Sequence, residues 1–244
     1  MELYQLKIAY DGTNFLGFQK QRKGRTVQAE IEKALRNLDW KGKGILAAGR
    51  TDAGVHASGQ VIAFQMSWEH PTCELQKALN SNLPNDVAAI GIQIAPDGFH
   101  PRFSALSRKY VYRIYCQEQR NPLKDRYAWR VWPIVQISHL KAAAKLLLGE
   151  HDFVTFGTPP KDEAGTIRRI TTAEWLNDKS EFRFEVKANA FLYHMVRRMV
   201  FLQVRIGQGL MELKELHHAV EGDRKVKQGI APACGLELAE VEYE

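Results

Sequence analysis

The chain has 244 residues, enough to bury a real core as one large domain or two closely packed halves, and its 34 Lys and Arg against 28 Asp and Glu leave a formal charge of +6. That balance favours a polyanionic partner, while the three separated cysteines, Cys73, Cys116 and Cys234, give neither a disulfide framework nor a thiolate zinc site. No apolar run reaches the roughly 18 residues of a membrane span, and the first residues lack the basic and apolar pattern of a leader, which predicts a soluble, cytoplasmic protein with no membrane partner.

Residues 3–10 alternate as a strand that Asp11-Gly12 stops. Thr26 then reads as the N-cap of a helix, because Val27, Ile31, Ala34, Leu35 and Leu38 fall on one helical stripe. Residues 45–48 and 60–65 have strand character, 74–80 are a short helix, and 87–95 and 110–117 are strands. Ser138 is expected to cap a helix that runs through Leu148 and ends at Gly149. The polar, proline-bearing stretch 157–165 predicts a mobile loop, 167–176 and 181–188 consecutive strands, and a helix runs from about Ala190 to Ile206. Strand, helix, strand, strand in each half implies an α+β protein with helices packed on a largely antiparallel sheet.

Between residues 45–48 and 60–65 stands Gly49-Arg50-Thr51-Asp52-Ala53-Gly54-Val55-His56-Ala57, which puts one carboxylate and one guanidinium on a glycine-flanked loop. Loops on a rigid scaffold are where reactive side chains concentrate. Local chemistry alone favours Asp52 capping a turn with Arg50 as its ion partner, and the rest of the chain tips the reading the other way. Upstream, Lys20-Gln21-Arg22-Lys23-Gly24-Arg25 carries four cations in six residues beside Phe15 and Phe18, a solvated loop by default and a phosphate grip in an RNA-acting protein. His56, His100 and His151 are dispersed without metal-ligand spacing, so no metal site is expected.

The nonapeptide resembles the active-site motif of the tRNA pseudouridine synthase A family, and further blocks follow in that family's order. They are Tyr10-Asp11-Gly12-Thr13, Gly17-Phe18-Gln19, Thr26-Val27-Gln28, Asn82-Leu83-Pro84 and Phe99-His100-Pro101-Arg102-Phe103-Ser104-Ala105. Lys109-Tyr110-Val111-Tyr112, His151-Asp152-Phe153, the run Asn189-Ala190-Phe191-Leu192-Tyr193-His194-Met195-Val196-Arg197, Ala231-Pro232-Ala233 and Gly235-Leu236 complete a similarity that spans essentially the whole chain. The resemblance implies the pseudouridine synthase fold: two similar α+β halves with mostly antiparallel mixed sheets, residues 1–104 with the catalytic loop and 105–244 completing an RNA cleft between them. It implies isomerisation of uridine to pseudouridine in the anticodon stem-loop of tRNA, at positions 38–40, by a homodimer that uses neither cofactor nor metal.

Residue by residue, the resemblance makes Asp52 the catalytic carboxylate, as nucleophile or as the base that removes the ribose C2′ proton. A carboxylate among phosphates is disfavoured by repulsion and desolvation, so a permanent cation beside it is needed, with Arg197 and Arg50 the candidates. The family pattern selects Arg197 as its partner. Without the resemblance, the preferred reading puts Arg197 and Arg198 on the solvated side of a helix whose apolar stripe is Met195, Met199 and Leu202. Tyr110 is implied to stack on the target base and to assist the proton shift at C5, where a strand aromatic is otherwise a core residue. Arg50, Arg22, Lys23 and Arg25 join Tyr110 as substrate-binding candidates. The chain departs from the family at Phe18 (usually Trp), Arg198 (Asn), Phe201 (Gly) and Ile230 (Thr). Two other readings are a catalytically silent tRNA-binding or folding protein and a glycoside hydrolase, the second lacking another carboxylate in a comparably exposed loop.

Overall fold

The computed structural model describes residues 1–158, 165–222 and 229–244. In chain order the elements are β1 (Glu2–Tyr10), α1 (Val27–Asn37), β2 (Leu46–Ala47), β3 (His56–Met66), α2 (Thr72–Asn82) and β4 (Val87–Ile94). There follow β5 (Ser107–Cys116), α3 (Pro122–Asp125), β6 (Trp129–Val131), α4 (Ile137–Lys145), β7 (Gly149–Asp152), β8 (Ile167–Asp178) and β9 (Glu181–Ala188). The chain closes with α5 (Met195–Gly207), α6 (Leu213–Val220) and β10 (Leu236–Glu242). Two compact units result, one of residues 1–106 with 237–244 and one of residues 107–236.

In the first unit the strand order is β4-β1-β3-β10, with β2 also on β3. β1 runs antiparallel to β3 and β4, whereas β10 pairs with β3 in parallel through Glu237 beside His56 and Leu238 beside Ala57. The period-two pattern of β1 sends Leu6 and Ile8 into the core. Val27, Ile31, Ala34 and Leu35 make the predicted apolar stripe of α1, and Thr26 caps that helix with its hydroxyl accepting from the Ala29 N–H at 3.4 Å. α2 is held on β4 by Gln76 and Asn80, whose side-chain amides donate to the Ala89 carbonyl at 3.0 and 2.9 Å.

The second unit builds the same kind of layer, with order β5-β9-β8-β7 and β6 parallel to β5. Its core is aromatic: Trp175 lies 5.1 Å from Phe184, and its indole N–H donates to fully buried Gln203 of α5 at 2.8 Å. α4 and α5 pack closely enough that a side chain at Gly207 would stand 2.9 Å from Leu140. Each unit is thus an α+β layer with mostly antiparallel pairing, as expected.

Several helix boundaries differ from the sequence expectation, and α2 spans Thr72–Asn82 where 74–80 were expected. α5 begins at Met195, because residues 189–193 are spent otherwise: the Asn189 side chain accepts from the Arg169 and Ala190 N–H groups, and Tyr193 exchanges backbone bonds with Thr158. His194, at φ +66, makes the sharp entry. α4 has its N-cap at Gln136, two residues ahead of the expected Ser138 cap, and ends at Lys145; Gly149, at φ +104, opens β7 instead of closing the helix. Of the predicted 157–165 loop, residues 159–164 lie outside the described residues.

Candidate active site

Asp52 sits in the loop between β2 and β3, half-buried, with its position fixed from the backbone upward. Fully buried Gln60 donates its side-chain amide to the Gly49 carbonyl at 2.9 Å and so pins the start of the loop. The Thr51 hydroxyl shares a 2.7 Å hydrogen bond with the Tyr10 hydroxyl, and the Thr51 carbonyl accepts from the Phe18 N–H at 3.1 Å. After Asp52 the Gly54 N–H donates to Phe15 O at 3.3 Å, and the Val55 N–H closes a turn on Asp52 O at 3.2 Å. Thr51 and Gly54, on either side of Asp52, are therefore tied to the segment 10–18, which explains why those distant blocks accompany the motif.

Two glycines make that approach possible. At Gly12 a Cβ would collide with the Val55 carbonyl, and at Gly17, whose φ is +98, it would stand 2.8 Å from the Thr51 carbonyl oxygen. The Gly12 N–H donates to His56 Nδ1 at 3.1 Å, so His56 is a brace of the loop's exit. His100 is likewise structural, its Nδ1 accepting from the Arg102 N–H at 3.1 Å, and His151 bonds the Leu148 carbonyl at 2.8 Å. Among the described residues no group of three or more His, Cys, Asp or Glu could hold a metal ion. Arg50 is exposed and forms no ion pair among the described residues, which leaves the turn-capping alternative with no Arg50–Asp52 pair behind it.

The second unit carries the other two predicted residues. Tyr110, on β5 opposite Val186, keeps its ring partly exposed and edge-on to Phe191 at 5.1 Å. On the opposite face of the β5–β9 pair Lys109 and Arg183 converge at 2.6 and 2.8 Å on the buried Glu185 carboxylate, a cluster that the alternation of β9 did not single out. Arg197 is not simply a solvated helix residue. Its Nε donates to the buried Ala231 carbonyl at 2.8 Å, while the Ala231 N–H donates back to Arg197 O at 3.1 Å. Next to Ala231, the Pro232 carbonyl accepts from the Tyr112 hydroxyl at 2.8 Å, and a Cβ at Gly235 would stand 2.6 Å from the Tyr112 ring. The Ala-Pro-Ala and Gly-Leu blocks thus orient Arg197 and β5. Burial raises the Tyr112 hydroxyl pKa well above its ordinary value, so it stays a donor.

Two of the departures from the family pattern, Phe18 and Phe201, are absorbed locally. Phe18 is buried 6.3 Å from Tyr10, and Phe201 stacks on Trp129 at 6.5 Å while covering Gly229, where any side chain would collide with its ring. The basic run divides in two. Arg25 is saturated: it grips Asp86 with both terminal nitrogens at 2.5 and 2.8 Å, donates from Nε to Glu30 at 2.8 Å, and lies 4.2 Å over the Phe15 ring. The Asp86 hydrogen bonds raise its pKa further, so its charge is permanent and already compensated. Arg22 and Lys23 stand exposed and form no ion pair among the described residues.

A single half-exposed carboxylate on a rigid loop suits nucleophilic or general-base chemistry that needs no metal. Comparison with known proteins shows the family. The profile of the family described as tRNA pseudouridine synthase matches residues 7–104 and 143–244. Proteins named tRNA pseudouridine synthase A are 40% identical in Latilactobacillus sakei, over 99% of this chain and 98% of that protein, and 38% identical in Limosilactobacillus fermentum, over 100% and 97%. A third, from Syntrophotalea carbinolica, is 35% identical over 100% of this chain and 97% of its own. A family profile matched over most of the chain, and relatives at 35–40% identity over its whole length, show that the chain belongs to the tRNA pseudouridine synthase family.

Proposed function

We propose that this tRNA pseudouridine synthase isomerises uridines 38–40 in the anticodon stem-loop of tRNA, with Asp52 as its nucleophile. The loop that fixes Asp52 from both sides while leaving its carboxylate half-exposed carries this reading. Attack of the carboxylate at ribose C1′ breaks the bond to N1, and the uracil leaves as its anion. After the base turns, C5 bonds to C1′ as the Asp52 carboxylate departs, and the C5 proton is lost as N1 gains one, so substrate and product are isomers. Tyr110, propped edge-on by Phe191, is the stacking surface and the hydroxyl that assists the C5 step. Arg197 is the cation that keeps Asp52 ionised, a role supported by its place in the family's motif.

Target uridines in a paired stem must be unstacked at a cost of a few kcal/mol, which phosphate contacts offset. Arg22, Lys23 and Arg50 supply such contacts, and Arg25 fixes the loop that presents the first two. The enzyme acts as a homodimer in the cytoplasm, a reading the family resemblance supports. The test is release of tritium from uridine C5 in tRNA, with modified positions mapped by carbodiimide-dependent primer-extension stops. Tritium released with uracil retained on the RNA, and stops at positions 38–40, are expected. Free uracil would identify a hydrolase, and binding without release would identify a silent tRNA-binding protein.

A further inference from the structure

In the first unit, a second group of cations shares one foundation that the catalytic assignment does not use. Glu32 of α1 is only 1% exposed, yet Lys20 and Arg36 reach its carboxylate at 3.0 and 3.2 Å while keeping half of their own side chains in solvent. Gln28 adds a third bond to the same carboxylate at 2.9 Å. The Arg36 guanidinium also lies 5.8 Å from the centre of the buried Trp40 ring, whose indole N–H is fixed to Gln65 O at 2.8 Å. Gly42 passes so close over that ring that a side chain there would collide with it, which leaves exposed Lys41 and Lys43 on either side of the crossing. A buried acid and a buried aromatic therefore hold up a row of cations whose heads face water.

The row begins beside the catalytic loop. Phe18, bonded to Thr51 O, is two residues from Lys20, and the Lys20 N–H is itself fixed to Gln28 at 3.0 Å. One helical turn, about 6 Å, separates Glu32 from Arg36, and Trp40 follows at the C-terminal end of α1, so the cations extend outward from Asp52 along the helix. Arg22 and Lys23 occupy the loop at its near end. Lys20 and Arg36 keep half-exposed side chains, and Lys41, paired with exposed Asp39, and Lys43 are exposed, an arrangement that lets each cation exchange its counterion for a phosphate.

We propose that Lys20, Arg36, Lys41 and Lys43, continuous with Arg22 and Lys23, form a track for the phosphate backbone of tRNA leading away from the Asp52 loop, with Glu32 as the residue that positions it. This deepens the reading above and rests on tRNA being the substrate. Each phosphate contact contributes about 0.7 to 0.9 to the slope of log affinity against log salt, or about fivefold in affinity near 0.15 M salt. Loss of two contacts therefore weakens binding roughly tenfold or more and flattens the slope by about 1.5.

The experiment measures binding of an unmodified tRNA transcript across a salt series for the parental protein, Lys41→Gln with Lys43→Gln, and Lys20→Gln with Arg36→Gln. The first pair touches neither Glu32 nor the core, so it remains informative if the second pair lowers the thermal transition. Lys77→Gln, on the exposed face of α2 in a pair with Glu74, is the control and should bind as the parent does. Weakened binding with a flatter slope in both double variants is expected; parental affinity and slope in either one, in a folded protein, overturns the track. A parental protein that binds tRNA but releases no tritium would refute the isomerase reading and leave the track standing.

Discussion

Gly17→Ala tests whether the scaffold around the catalytic loop acts on Asp52 or merely on stability. Gly17 adopts φ +98, and an added Cβ would stand 2.8 Å from Thr51 O and 3.3 Å from the Ala53 N, on both sides of Asp52. The left-handed backbone alone costs an alanine about 1–2 kcal/mol. The contact with Thr51 O is closer than carbon and oxygen tolerate, and both partners are backbone, so the loop must move by several tenths of an ångström. A misplacement of about 1 Å in a catalytic group costs on the order of a hundredfold in rate. Gly98→Ala is the matched control, because Gly98 has φ +73 with open space around its missing Cβ. The backbone cost common to both variants should lower Tm by about 2–8 °C, at about 2–4 °C per kcal/mol for a chain of this size, and the clash adds to it in Gly17→Ala. Only Gly17→Ala should lose kcat for tritium release, by tenfold or more. Equal kcat in the two variants would show that the contacts of segment 10–18 do not set the geometry of Asp52.

Tyr110→Phe keeps the ring against Phe191 and removes the hydroxyl, so tRNA affinity should hold while tritium release slows at least tenfold; an unchanged rate would make Tyr110 a packing residue. Arg197→Met should abolish most activity and Arg197→Lys restore part of it, since lysine supplies charge without the guanidinium fork, whereas parental activity in the Met variant would pass the role to Arg50. Burial pushes the Glu32 carboxyl up, but hydrogen bonds from Lys20, Gln28 and Arg36 outweigh it and leave its pKa below the ordinary 4.5. A depressed folded pKa contributes stability that is present above that ordinary value and is lost as pH falls through the folded one. Urea midpoints should therefore show the parent well above Glu32→Gln near pH 6 and the gap narrowing toward about pH 3; a constant gap would contradict the ion-pair account.

Most of the architecture was legible because it rests on local signals. The stripe behind Thr26 and the alternation of 181–188 translate directly into α1 and β9. The start of α5 was not legible, since a β-bridge between Thr158 and Tyr193, far apart in sequence, takes residues that carry a helical pattern. Asp52 was visible through its glycine-flanked motif, but Gln60 was not: a glutamine on an alternating strand gives no sign that its amide will reach Gly49 O. Charge runs were the least readable. Nothing in Lys20 to Arg25 marks Arg25 as the saturated member, because its partner Asp86 is 61 residues away. Lys20 and Arg36 look solvated until Glu32 is seen beneath them.

The most direct test of the central claim is Asp52→Asn, assayed in parallel for tritium release from uridine C5 and for tRNA affinity. The substitution keeps shape and hydrogen-bonding capacity in a loop held by Gln60, Tyr10 and Phe18, and removes only charge and nucleophilicity. The account predicts that release falls to background while affinity stays within about threefold of the parent. Substantial turnover by the Asn variant would contradict it and remove Asp52 from the reaction.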